Sequence, residues 1–248
     1  VVERMGRWVD FEDSYKTMDP SFMESIWWVF KTLWEKKLIY RGKKSMHICP
    51  RCVTPLSNFE VGLGYKDVTD FSTTVQFKLK ETAQKKKLFG ASPTFVLSWT
   101  TTTWTLPGNL MAAVGKDIEY AVMEKDGSQF LIAKNCLATY QSHFPEGSAP
   151  VKSVVGKDLV GLEYHPLFDA YEGKKLPNLD KAWHVYAADF VTTDSGTGVV
   201  HIASGYGEDD MNMAVKMKMP VLQHVLMDGS FIEELGPGFR SHNINGTE

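Results

Sequence analysis

Apolar residues recur at Met23, Ile26, Trp27, Phe30, Leu33, Trp34 and Leu38, a spacing that predicts one amphipathic helix over 20–38. Asp19-Pro20-Ser21 and the Ser21-x-x-Glu24 pair supply a start signal, read as a capping box. From Tyr65 onward the pattern shifts to short runs of β-branched and aromatic residues separated by turns. These predict strands at 73–80, 95–99, 111–114, 119–124, 129–133, 151–155, 184–187, 198–202 and 221–226. Lys125-Asp126-Gly127-Ser128 reads as a hairpin turn and Phe144 to Pro150 as a loop. Two further helices are expected, at 133–140 and 208–217. The expected class is therefore α+β: a β-barrel-like body over 67–248, preceded over 1–66 by a helical extension that contains a Cys-x-x-Cys.

Composition narrows the picture little. The 248 residues are 43% hydrophobic and 23% charged, which is ordinary for a globular chain. A formal charge of −3 argues against a strongly basic nucleic-acid binder, although a local basic patch can still steer a phosphate backbone. Three cysteines make no disulfide framework and fit a reducing compartment, so a cytoplasmic chain is expected. No apolar run approaches the roughly 18 residues that span a bilayer, and no membrane partner is expected. The start, Val1-Val-Glu-Arg, carries neither a signal peptide nor an initiator Met and reads as an excised fragment.

Two places hold candidate chemistry. Cys49 and Cys52 sit among Pro50, Pro55 and His47, the pattern of half a zinc knuckle. A structural zinc wants four ligands, so His47 is a candidate third and the rest must come from elsewhere. The other place is Trp99-Thr-Thr-Thr-Thr-Trp-Thr-Leu-Pro-Gly-Asn109. Unpartnered buried hydroxyls cost about 1–3 kcal/mol each, so the run is a poor core. It is a good lining for a small polar pocket, because threonine offers a donor, acceptors and a methyl on a stiff χ1. A strand with threonines on its solvent face fits the run equally well.

A second peptide, Asp194-Ser-Gly196-Thr197-Gly198-Val-Val-His201-Ile-Ala-Ser204-Gly-Tyr-Gly207-Glu-Asp-Asp210, joins two glycine turns to an acidic helix start. Together the two peptides resemble the connective-peptide editing domain of isoleucyl-tRNA synthetase, a class I aminoacyl-tRNA synthetase. Glu3 to Phe11, Met23 to Phe30 and Tyr40 through Cys49-Pro-Arg-Cys52 to Ser57 are similar to the segment by which that family's chain leaves its catalytic core.

The resemblance implies hydrolysis of valine from mischarged tRNA(Ile), with cognate isoleucyl-tRNA spared. Asp210 would bind the substrate's α-amino group and make up the catalytic set with Thr100, Thr101 and Thr102, and these threonines and Thr105 would contact the substrate. Trp104 would form a wall and Asn109 a turn near the site, while Trp99 belongs to the core. His201 would bound the pocket and exclude isoleucine. Gly196, Thr197 and Gly198 would cradle the terminal adenosine. A positioned water, helped by the tRNA's own terminal hydroxyl, would do the chemistry without a cofactor; zinc at Cys49 and Cys52 belongs to the full-length enzyme. The implied partners are the valine-bearing 3′ end of tRNA(Ile) and the rest of the synthetase, with the chain a monomer.

The chain departs from that family twice, with Thr103 and Ser204 where it has proline. Each loss frees φ and restores an N–H in a pocket loop. Two other readings stay open. One is a non-catalytic zinc-knuckle and β-barrel module that binds tRNA or protein. The other is a metal hydrolase using His201, Asp209 and Asp210, whose spacing lacks a second histidine.

Overall fold

The computed structural model describes residues 1, 3–6 and 8–239, so residues 240–248 of the body expected over 67–248 lie outside the described residues. The chain forms two compact units, Val1–Lys43 and the part from Lys44 onward. The division by contacts thus falls before the change in sequence texture at 66/67.

In the first unit, α1 (Pro20–Glu35) carries no buried residue. The Ser21–Glu24 capping box is not formed. Asp19 is the N-cap and makes no side-chain cap bond, while Pro20 takes the first helical position. That places Ser21 inside the first turn, where its carbonyl accepts from Ser25 Oγ at 2.9 Å. The helix also stops short of 38. Lys37 turns left-handed (φ 58°). Leu38 N–H then reaches back to Leu33 O at 3.0 Å, which closes a Schellman-type end on lysine instead of glycine.

The second unit begins with a small hairpin, β1 (Ile48–Cys49) against β2 (Thr54–Pro55). The short α2 (Asn58–Gly62) follows, and here a true capping box joins Ser57 and Glu60. The sheet body follows: β3 (Thr73–Lys78), α3 (Ala83–Phe89), β4 (Thr94–Thr100), β5 (Asn109–Val114), β6 (Glu119–Lys125) and β7 (Ser128–Ala133). After these come α4 (Leu137–Tyr140), β8 (Lys152–Val155), α5 (Gly156–Leu159), β9 (His184–Ala187), β10 (Val199–Ala203) and α6 (Glu208–Met217).

Nearly every expected strand is present, and the hairpin turn between β6 and β7 has positive φ at Asp126 and Gly127 (51° and 73°), as a two-residue type I′ turn requires. The helix expected over 133–140 is a 3-10 turn, Lys134–Cys136, leading into α4.

One strand is absent. Segment 221–226 makes only an isolated bridge, Val225 to Phe231. Three of its N–H groups are taken by side chains: Leu222 N donates to Ser204 Oγ (3.0 Å), and His224 N and Val225 N both donate to Tyr206 OH (2.6 and 2.9 Å), while Leu226 N donates to Ser230 O at 2.7 Å. With those three donors committed, the segment pairs only briefly with 230–232, where Ile232 N also donates to His224 O at 3.0 Å.

The strands make a five-stranded sheet in the order β3-β4-β7-β6-β8 and a three-stranded sheet β10-β5-β9. Among the described residues they do not close into the expected barrel. No ladder among these residues joins β3 to β8 or one sheet to the other, so both sheets keep open edges. The body is still one α+β unit, because β4 and β10 lie side by side and Ser98 Oγ donates to Val199 O across the seam at 2.9 Å. All six residues of β5 are buried. Ala112 and Val114 join the core that contains Phe77, Tyr120, Leu131 and Tyr164. Leu110, Met111 and Ala113 join a second core with Ile202, Met213 and Leu222.

Candidate functional site

The end of β4, the 3-10 turn Thr103–Gly108, β10 and the first turn of α6 meet around one cavity of about 200 Å3. Its lining includes Thr100, Thr102 and Thr105 from the first peptide and His201, Tyr206 and Asp210 from the second. An apolar cavity of about 150 Å3 holds benzene, so this space suits one small side chain with its polar head.

The threonines are held by one another. Thr100 Oγ1 lies 3.1 Å from Thr102 Oγ1 and accepts from Thr102 N, also at 3.1 Å. Thr105 Oγ1 donates to Thr102 O at 2.8 Å. Thr101 is exposed and lies outside the lining. Trp99, expected in the core, is half-buried and forms part of the cavity wall. Trp104 stands one layer back, its ring edge-on to Tyr206 at 5.2 Å.

His201 is 8% exposed, and both ring nitrogens are engaged. Nδ1 lies 3.1 Å from Asn109 Nδ2, and Nε2 lies 2.7 Å from Thr105 Oγ1. The amide nitrogen can only donate, so Nδ1 accepts. Thr105 has already given its proton to Thr102 O, so Nε2 carries the hydrogen. Burial first, and the nearby His224 second, push the ring's pKa down to about 4. His201 is thus a neutral wall whose basic lone pair is spent on Asn109. That arrangement does not suit a general base.

Asp210 is the carboxylate of the cavity. Its Oδ1 accepts from Ala203 N at 2.7 Å, at the end of β10. Burial raises its pKa, and the Ala203 hydrogen bond opposes that. A side chain at Gly207 would collide with Asp210 Oδ2, so glycine there lets the carboxylate lie back over the helix start. An arriving ammonium group would favour the ionised form.

The three residues expected to cradle adenosine are tied into the sheets and lie outside the lining. Gly196 lies against the face of Trp99, Thr197 O accepts from Ala133 N at 2.8 Å, and Gly198 O accepts from Tyr120 OH at 2.7 Å. Gly198 has φ 72°, and a Cβ there would strike Ala133, so its glycine is explained by the fold. Asn109 sits buried behind His201.

Several residues at or behind the site escaped the sequence reading. Tyr206 lies inside the second motif, and its flanking glycines were the available signal. Tyr164 and His224 had none. Tyr164 OH donates to Asn109 Oδ1 at 2.8 Å, and His224 Nε2 lies 2.9 Å from Trp104 O.

At the hairpin, Cys49 is half-buried and Cys52 exposed. A hydrogen bond from Cys52 lowers the pKa of Cys49, and the same bond raises that of Cys52. Among the described residues no group of three or more His, Cys, Asp or Glu side chains could hold a metal ion. His47 therefore does not complete a site with the two cysteines, and His201, Asp209 and Asp210 do not form one. Among the described residues no helix is long and apolar enough to cross a membrane.

Comparison with known proteins agrees with the two peptides. The chain is 44% identical over 254 residues to the isoleucine--tRNA ligase of Treponema denticola, covering 94% of this chain and 23% of that protein. It is 39% identical over 236 residues to the isoleucine--tRNA ligase of Clostridium acetobutylicum, covering 95% and 21%. The chain therefore spans about a fifth of the length of the curated relatives it matches. Among solved structures it is similar to the editing domain of the P. knowlesi cytosolic leucyl-tRNA synthetase, with a TM-score of 0.47, 14% identity and coverage of 62% of this chain and 66% of that one. The P. falciparum cytosolic leucyl-tRNA synthetase editing domain gives a TM-score of 0.40 with 16% identity, covering 57% and 56%. Residues 1–198 match the family model described as tRNA synthetases class I (I, L, M and V), and the chain belongs to that family.

Proposed function

We propose that this chain is the proofreading unit of an isoleucyl-tRNA synthetase, which hydrolyses the ester of valyl-tRNA(Ile) and spares isoleucyl-tRNA(Ile). The observation that carries the reading is the meeting of two peptides, about a hundred residues apart in sequence, around one small cavity with a single carboxylate on one side and a neutral imidazole on the other. Asp210 is the counter-charge for the substrate's α-ammonium group. His201 limits the depth available to the side chain. Thr100, Thr102 and Thr105 line the space around the ester, with Thr101 exposed nearby.

Such a pocket answers a physical need. A hydrophobic synthetic site separates two ligands that differ by one methylene by only about 1–3 kcal/mol, and isoleucine against valine is the standard example of that limit. A second cavity that admits only the smaller product removes the errors. In the reaction, water adds to the ester carbonyl, the bond to the ribose oxygen breaks, and that oxygen leaves as the tRNA hydroxyl while valine is released. With the His201 lone pair committed to Asn109, the chain contributes positioning more than proton transfer. The tRNA's own terminal hydroxyl assists the water.

On this reading hydrolysis needs no cofactor. Cys49 and Cys52 offer two thiol ligands; zinc there would be structural, with its remaining ligands supplied by the full-length enzyme. Residues 1–66 connect the unit to the synthetase core, which is its partner together with the 3′ end of tRNA(Ile), in the cytoplasm and as a monomer.

The test is deacylation of valyl-tRNA(Ile) and isoleucyl-tRNA(Ile) by the same protein. Faster loss of valine supports the assignment. Binding of tRNA with no hydrolysis of either ester overturns it in favour of a binding module.

A further inference from the structure

The geometry points to Tyr164 as a positioning residue for the pocket wall: through Asn109 it holds the His201 ring in one orientation and one tautomer. The inference rests on the proofreading reading for its effect on selectivity, while its structural part can be tested without it. Tyr164 belongs to no motif and is not among the residues that line the cavity. It is nonetheless wholly buried.

The anchor is rigid on every side. The Tyr164 ring packs on Phe77 with centroids 4.7 Å apart. Its N–H donates to Trp183 O at 2.9 Å, and the next residue, His165, donates to Lys78 O at 2.8 Å. The segment therefore bridges both sheets, with Leu79 paired to Tyr164 on one side and Glu163 paired to His184 on the other.

From this anchor a single line of hydrogen bonds runs to the cavity. Tyr164 OH donates to Asn109 Oδ1 (2.8 Å), and Asn109 Nδ2 donates to Met111 O (3.0 Å) and to His201 Nδ1 (3.1 Å). His201 Nε2–H then donates to Thr105 Oγ1 (2.7 Å), which donates to Thr102 O (2.8 Å). Every donor finds an acceptor in this direction. Met111 O can only accept, so the amide nitrogen must face it, and the tyrosine hydroxyl meets the amide oxygen that remains. Without that hydroxyl the buried Oδ1 has no partner, and the amide keeps one anchor where it had two. The ring it holds then gains freedom at the wall that excludes the larger substrate. The other titratable groups near the ring are His224, which is not in the cavity lining, and Asp210 and Tyr206, which are.

The experiment is Tyr164→Phe in the full chain, read by histidine ¹⁵N NMR and by deacylation of both esters. The wild type should show Nε2 protonated and Nδ1 as acceptor. In Tyr164→Phe the two nitrogen shifts should move toward each other as tautomers mix. Selectivity for the valyl ester should fall roughly tenfold, with the valyl rate itself changing less. Asn109→Asp is the second variant. A carboxylate cannot donate to Nδ1, so His201 should take the Nδ1–H form and titrate above its wild-type value. Unchanged nitrogen shifts in Tyr164→Phe, or unchanged selectivity, overturn the inference. If Tyr164→Phe fails to fold, the wild type decides: a slowly exchanging Tyr164 hydroxyl proton in contact with Asn109 supports it, and fast exchange overturns it. If the wild type hydrolyses neither ester, the proofreading reading fails, and the NMR result still decides whether Tyr164 sets the tautomer.

Discussion

A buried neutral histidine leaves a signature in the pH dependence of stability. Burial and His224 lower the His201 pKa from 6.5 to about 4. Between those two values the unfolded chain carries a proton on this ring and the folded chain does not. Unfolding therefore takes up a proton, and stability rises with pH across the window. The contribution is complete above 6.5, is lost as pH falls toward 4, and changes no further below that. At ~1.4 kcal/mol for each tenfold in proton affinity, the loss is about 3 kcal/mol. That is a large fraction of the 5–15 kcal/mol typical of a folded domain.

Other groups titrate in the same range. His224 is also lowered by burial and adds to the slope, while Asp210, raised by burial, contributes with the opposite sign. These remain when His201 is replaced by glutamine, which can still accept from Asn109 and donate to Thr105. The assay is urea unfolding of the wild type and His201→Gln at pH 7 and pH 4.5, after confirming a two-state transition at both. The wild type should lose between about 2 and 3 kcal/mol more than the variant on acidification. Equal losses would mean that His201 is protonated in the folded state, and the neutral wall would have to be abandoned.

Asp210→Asn keeps an acceptor for Ala203 N–H but removes the charge; valyl-tRNA hydrolysis should fall roughly 10- to 100-fold, as loss of a charged hydrogen bond worth about 1.5–3 kcal/mol implies, with a thermal melt no lower at neutral pH because burial disfavours the charged form. In the wild type, hydrolysis should decline on acidification at a pH above the ordinary aspartate range, and a pH–rate profile that stays flat there would contradict the ammonium-binding role. His201→Ala should admit isoleucine and erode selectivity by about one to two orders of magnitude in paired deacylation assays, whereas a general base would cost both esters equally. Ser204→Ala strips partners from Pro220 O and Leu222 N, and urea unfolding should show a loss of about 1–3 kcal/mol.

The regular parts of the fold were legible because they rest on local rules. The Asp126-Gly127 turn, β9 and α6 follow from residue type and period alone. What was missed depends on partners distant in sequence or on a choice between neighbouring signals. Ser21–Glu24 and Ser57–Glu60 are both valid capping-box patterns, and Pro20 decides against the first by claiming the first helical position. Barrel closure depends on whether the end strands find one another, which no single strand's sequence records.

The site shows the same division, and the proline replacements show what it means physically. The second motif supplied His201 and Asp210, and their shared cavity with the threonines is a property of the fold. At 204 the family pattern has proline, which stiffens a loop by fixing φ. Serine gives up that stiffness and gains two hydrogen bonds instead, donating to Pro220 O at 2.9 Å and accepting from Leu222 N at 3.0 Å. The tether ties 220–222 to the end of β10, and Tyr206 ties 224–225 two residues on. Those bonds hold His224 beside Trp104 O and confine the pairing of 221–226 to a single bridge with Phe231. A sequence read one segment at a time assigns 221–226 to a strand for good local reasons. It does not become one because a serine and a tyrosine, nearly twenty residues away, take three of its backbone donors. At Thr103 no such exchange occurs, since its side chain is exposed. Rigidity there comes from the neighbouring bond of Thr105 to Thr102 O, which is also the last link of the chain that fixes His201.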